Sequence, residues 1–180
     1  MASQFELQAL VNEVKTSGID AIRSHWENSQ LAQDSISRFD NLSKGWDRLA
    51  GEIWPETESI SFRFKRLTGL CTSIVWFQSL EDLLFEPDGP IKNDLERLEK
   101  DAQRDFDRAK KHLKAHRNHR LDDQTLMESI GSLLWTIRSN SMHGRKTTSG
   151  PIEPTNRDEQ ICDLGAIVLC DLHRAVFPTW

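Results

Sequence analysis

The chain is short of several things. Its 180 residues hold three cysteines, six prolines, nine glycines and no tyrosine. The three cysteines, Cys71, Cys162 and Cys170, are odd in number and sit in apolar helical contexts. That excludes a disulfide framework, and no zinc-ligand or redox spacing is present. The expectation is buried thiols in a reducing compartment. No apolar run approaches the length of a membrane span. The opening residues, Met1 to Glu6, have no basic segment leading into an apolar one. A secretory leader is therefore not expected, and a cytoplasmic location is. Basic excess is lacking too. The formal net charge is -5, which argues against a general basic coat for nucleic acid but leaves room for a local patch. No segment shows the period-two alternation of a strand, and there are no internal repeats or low-complexity tracts.

What is present is helical periodicity. Apolar residues make up 37% of the chain and charged residues 28%, a balance that suits amphipathic helices with solvated outer faces. Phe5, Leu7, Leu10, Val11 and Val14 recur at helical spacing, with a kink expected at Gly18 before Ile19, Ile22 and Trp26. Phe39, Leu42, Trp46, Leu49 and Ile53 form a clean stripe that Trp54-Pro55 closes. Ser59 to Leu84 is the most apolar stretch and reads as one central helix. Pro87-Asp88-Gly89-Pro90 is a turn. Ile91 to about His116 is a long one-sided helix, and Asp122 and Asp123 are candidate N-caps for the next. Residues 146–154 read as a loop before a last helix that runs to Phe177. The expected architecture is a single all-α domain over residues 1–180, a bundle of about five to seven helices.

The helix expected to end at Gly144 delivers polar donors at its last turn: Ile137-Arg138-Ser139-Asn140-Ser141-Met142-His143-Gly144-Arg145-Lys146. Arg138 carries a permanent charge on a planar fork of donors, suited to a phosphate or carboxylate. His143 can give or take a proton near neutral pH. Asn140, three residues earlier, lies on the same helix face as His143. On a continuous helix positions 138 and 143 are about 140° apart. Two routes bring them together. Either the helix unwinds at Ser141–His143, or two copies meet across a twofold axis, each Arg138 facing the other copy's His143.

This segment resembles the HEPN family, the higher eukaryotes and prokaryotes nucleotide-binding domains. Arg, Asn, His and Gly at these offsets at the end of an apolar helix look like the family's frequent form. The Arg157-Asp158 opening of the final apolar helix fits as well, so the local match spans Leu133 to His173. The resemblance implies an all-α bundle, usually a homodimer, and in many members a metal-independent endoribonuclease with the motif pairs facing a shared cleft. Carried onto this chain, it implies that Arg138 and His143 are the catalytic pair, supported by Asn140. Ser139, Arg145 and Lys146 are then candidate substrate contacts. Ser139 is a departure, since members often place Asn, Asp or His directly after the arginine. Cleavage would proceed by attack of the RNA 2′-hydroxyl on the adjacent phosphate, with no cofactor and no metal. The absence of a carboxylate cluster beside the motif is consistent with that. RNA is the expected partner, together with a second copy of the chain, and a protein partner or antitoxin in a toxin or defence system comes by analogy. Some family members only bind RNA or proteins, and that is the alternative reading. Some HEPN toxins are silenced on a tyrosine just after the motif; with no tyrosine in the chain, that route is closed here.

Three further features have plainer readings. Arg108 to Arg120 is the strongest basic run. It can be an RNA-backbone track, but positive charge at a helix C-terminus also offsets the helix dipole, and the latter is expected. His112, His116 and His119 have metal-ligand spacing, yet a solvated basic face is expected. Of the six tryptophans, Trp54 and Trp180 can cap a cleft, while core packing is expected for most.

Overall fold

The computed structural model describes residues 2–55, 59–85, 96–143 and 156–180, and side chains at all of these except 2–4, 96–102, 141–143 and 156–157. The described residues form eight α-helices and no strand: α1 (Ala2–Asn12), α2 (Thr16–Leu31), α3 (Ser35–Ile53), α4 (Ile60–Leu70), α5 (Gln78–Phe85), α6 (Glu96–Arg117), α7 (Asp123–His143) and α8 (Asn156–Val176). A single 3-10 turn, Thr72–Ile74, links α4 to α5. The all-α expectation holds. The helix count exceeds the expected five to seven because two long apolar stretches each break in two. The first breaks between Asn12 and Thr16 rather than at Gly18. Gly18 lies buried inside α2, where a Cβ would come within 2.9 Å of the Glu52 side chain. The second breaks after Leu70, where Cys71, Thr72 and Ser73 leave the helical path. Serine and threonine compete for backbone partners and weaken a helix interior.

The helix starts are chemically marked. Asp34, Ser59 and Asp122 each cap a helix, accepting from the backbone N–H three residues on: Ser37 (2.8 Å), Phe62 (3.3 Å) and Thr125 (2.8 Å). Each such cap contributes about 1 kcal/mol. The end of α6 is marked as well. His119 has φ 56, and the amides of His119 and Arg120 return to the carbonyls of His116 (2.8 Å) and Ala115 (2.9 Å). That is the paired hydrogen-bond pattern of a helix stop in which glycine usually takes the left-handed position.

α3 is the hub. It packs on α2, α4, α7 and α8, while α4 also packs on α7 and α6 flanks α7 from outside. Its stripe of Phe39, Leu42, Trp46 and Leu49 is completely buried. Burying a side chain of this size contributes about 1.5–3 kcal/mol over leaving it exposed. The Trp46 indole N–H donates to Thr68 Oγ1 at 3.0 Å, and that hydroxyl donates to the Phe64 carbonyl at 2.9 Å, so the buried polar atoms joining α3 to α4 are paired. α4 and α7 approach closely at Gly131, where a Cβ would lie 2.9 Å from the Lys65 Cα. All three cysteines are free and buried, and burial pushes the Cys71 thiol far up.

Candidate functional site

Arg138 stands near the C-terminal end of α7, one position past buried Ile137. Its stem starts at the core, as the sequence suggests, and its guanidinium crosses to α3. There Nη1 donates to Asp47 Oδ2 at 3.0 Å. The guanidinium also lies 5.0 Å from the centre of the Trp135 ring. Only 16% of the Arg138 side chain and 21% of the Asp47 side chain are exposed, so the pair is mostly shielded. Shielding strengthens the attraction, and a flat ring beneath a planar cation limits its motion.

Asp47 does not stop at this pair. It lines a cleft of about 710 Å³ on the α2–α3 side, together with His25, Lys44, Arg48, Glu52 and Arg63. Arg138 therefore sits one hydrogen bond behind the wall of that cleft. The cations there are held by neighbours. Lys44 pairs with Asp40 at 2.6 Å and Arg48 with Glu52 at 2.5 Å, both one turn apart on α3. Arg63 donates to the carbonyls of Trp54 (2.7 Å) and Pro55 (3.2 Å). Pairs on a solvated helix face are weak and exchange readily for an incoming anion. His25 is held below the ordinary histidine range by partial burial and by the Lys44 and Arg48 cations, against an opposing pull from Asp40. Its imidazole is neutral at pH 7, and its Nδ1 has no hydrogen-bond partner among the described residues.

No protein-family model, curated protein or solved structure matches this chain.

The other residues singled out from sequence divide sharply. Ser139 and Asn140 are half-buried on the last described turn of α7. The His143 backbone is helical but its side chain lies outside the described residues, and Arg145 and Lys146 lie outside them altogether. α7 runs unbroken to His143, so of the two routes for joining positions 138 and 143, unwinding at Ser141–His143 does not occur. On one helix the two positions stay about 140° apart.

Several residues here escaped sequence reasoning. Asp47 is 91 positions from Arg138, and nothing in its own surroundings announces the pair. Asp105 is buried on α6 and accepts from the Thr136 hydroxyl at 2.7 Å. His116 is buried rather than solvated: Nε2 lies 2.7 Å from Asp123 and the ring packs 5.0 Å from Trp76. That contact takes up Nε2, and burial keeps the ring off the solvated face expected for it. His173 on α8 is fully buried among Trp26, Trp46 and Trp180, with Nε2 donating to the Leu42 carbonyl at 3.1 Å. Helical spacing from Leu169 and Cys170 could have placed it inward.

Proposed function

We propose that this chain is a HEPN-type, metal-independent endoribonuclease that cleaves RNA at a site shared between two copies of the chain. The supporting observation is Arg138: a shielded guanidinium, held by Asp47 and Trp135 one hydrogen bond behind the wall of a polar cleft that Asp47, Lys44, Arg48 and Arg63 line. The continuity of α7 through His143 favours a two-subunit site over a one-subunit one. Asp47 is then a positioning residue that aims Arg138.

In the proposed reaction the RNA 2′-oxygen attacks the adjacent phosphorus and the bond from phosphorus to the 5′-oxygen breaks. A 2′,3′-cyclic phosphate and a 5′-hydroxyl result. One group must take the 2′-hydroxyl proton and one must protonate the leaving 5′-oxygen; His143 serves one of these roles. Arg138 meets the charge that builds on the phosphoryl oxygens. Much of the remaining rate comes from holding the 2′-oxygen in line. A toxin or defence role, with an antitoxin or other protein partner, follows only from the resemblance.

The test is incubation of the full chain with mixed RNA in excess chelator. Cyclic phosphate ends are expected, and His143→Ala should remove cleavage at unchanged helical content. Mixing inactive Arg138→Ala and His143→Ala chains should restore about a quarter of wild-type activity. Half of the mixed dimers are then hybrid, and each hybrid has one intact site of two. Cleavage that survives His143→Ala sinks the catalytic assignment.

One observation favours a second reading, a non-catalytic RNA-binding or protein-interaction module. Arg138 already has a carboxylate partner, which is how a purely structural arginine is kept. Wild-type protein that binds RNA without cutting it decides for that reading.

A further inference from the structure

α5 lies along the C-terminal half of α6, and between them runs a groove of about 560 Å³. Its lining is Phe85, Lys110, Lys111, Lys114 and Arg117, over Leu113 and Asn118. Lys111, Lys114 and Arg117 are exposed. Arg117 pairs with Glu81 of α5, while Lys111 and Lys114 have no acidic partner among the described residues. In a chain of net charge -5, four cations on two turns of one helix are a marked local excess. Neutralising the helix dipole would require far less.

One aromatic residue in the lining and a second outside it give this surface another character. Phe85 is 49% exposed with the Lys110 ammonium 5.6 Å from its ring centre, and Trp76 is 69% exposed against His116. Lys110 and His116 are six residues apart, about 9 Å along α6 and about 120° around it, so Phe85 lines the groove and Trp76 lies beyond its rim. Exposed aromatic faces near cations are available for a ligand to stack on. An exposed ring within a lysine stripe, with a second ring beyond its rim, suits single-stranded nucleic acid, phosphates on the cations and bases on the rings. An acidic peptide would use the lysines but not the ring faces, and a duplex offers no open base to stack.

We infer that the α5–α6 groove is a binding surface for single-stranded RNA, separate from Arg138. The Asp105–Thr136 hydrogen bond fixes how α6 lies on α7. Lys114 is nine residues from Asp105, about 14 Å along the helix from the level of Thr136. A strand seated in the groove can therefore continue along α6 toward the end of α7. The inference does not depend on cleavage.

The experiment measures binding of a fluorescent 2′-O-methyl oligouridylate to the full chain by anisotropy, in a salt series from 50 mM upward. That probe has no free 2′-hydroxyl, so binding is read whether or not the chain is a nuclease. The expected results are salt-sensitive binding, a loss of about 1.4 in the slope of log K against log salt for Lys111→Gln/Lys114→Gln, and fivefold or greater weakening for Phe85→Ala and for Trp76→Ala. Lys65→Gln, a cation on α4 held by Glu128 at 3.5 Å, should bind like wild type. No wild-type binding at 50 mM salt overturns the inference. So does equal weakening by Lys65→Gln, or unchanged affinity when both aromatic residues are removed. Stronger binding to polyglutamate, indifferent to the aromatic changes, overturns it in favour of an acidic protein partner.

Discussion

His173 makes acid stability a direct test of the core. Its Nε2 donates to the Leu42 carbonyl, and its Nδ1 is buried with no hydrogen-bond partner among the described residues. Protonating Nδ1 would place an unpaired cation among three indoles. Their faces return about 2 kcal/mol, less than the several kcal/mol that stripping a cation of water costs. Burial therefore pushes the imidazole from its ordinary 6.5 down to about 4, with the nearby His25 adding to the fall. The unfolded chain binds this proton below pH 6.5, while the folded chain refuses it until about pH 4. Between those values the unfolded state holds more protons, so stability falls as pH falls. Above the ordinary value the group contributes nothing either way. A gap of this size amounts to about 3 kcal/mol, fully lost below pH 4. His173→Gln keeps an N–H for the Leu42 carbonyl but cannot titrate. Urea unfolding followed by tryptophan fluorescence at steps from pH 8 to 4 gives the stability of both proteins. The variant should lose ground at neutral pH through imperfect packing, then gain about 3 kcal/mol relative to wild type as the pH drops. Carboxylates and His25 titrate in both proteins and cancel to first order in the difference. A difference curve that stays flat from pH 7 to 4 would refute the assignment of a neutral, desolvated His173.

Two further outcomes follow from local geometry. His119→Gly should raise stability by about 0.5–1 kcal/mol, read by thermal unfolding. The left-handed φ of an exposed residue costs about 1–2 kcal/mol with a Cβ, against a smaller entropy loss for glycine. Arg138→Ala should destabilise by about 2 kcal/mol because it strands a shielded Asp47 carboxylate, and Asp47→Ala should do much the same to the guanidinium. The double variant should cost less than the sum by at least about 0.5 kcal/mol, a coupling that strictly additive losses would contradict.

Amphipathic spacing makes much of this fold legible. The α3 stripe could be read from the sequence because three- and four-residue steps bury one face, and each of Phe39, Leu42, Trp46 and Leu49 is inside. Asp122 declared itself as a cap for the same kind of reason: a short polar side chain directly before a periodic run. Periodicity fails where a stretch is apolar on every side. From Ser59 to Leu84 only Gly69 and the Thr72-Ser73 pair hint at an interruption, and the expected single helix is two, with Trp76 and Phe77 turned outward. At the candidate site, the sequence offers Arg138 because an arginine on an apolar helix is conspicuous. It cannot offer Asp47, since charge pairing across 91 residues leaves no local signature. The groove lysines were visible, but their meaning was not. Only the packing of α5 sets Phe85 beside them.

The consecutive residues Trp46 and Asp47 explain how core and site are joined. Successive positions on a helix differ by about 100°. When Trp46 is driven fully inward against His173 and Thr68, Asp47 is carried to the flank of α3, where it meets Arg138 from α7 and looks into the cleft. A shielded ion pair is a weak way to stabilise a bundle, because apolar residues of similar size usually do as well. What the pair adds is direction: the guanidinium has one place to be, set by a helix that the core does not allow to rotate. Loss of packing around Trp46 should therefore move Arg138 as well as soften the fold. A change at Asp47 should misaim Arg138 while leaving the Trp46 environment, and its fluorescence, as they were.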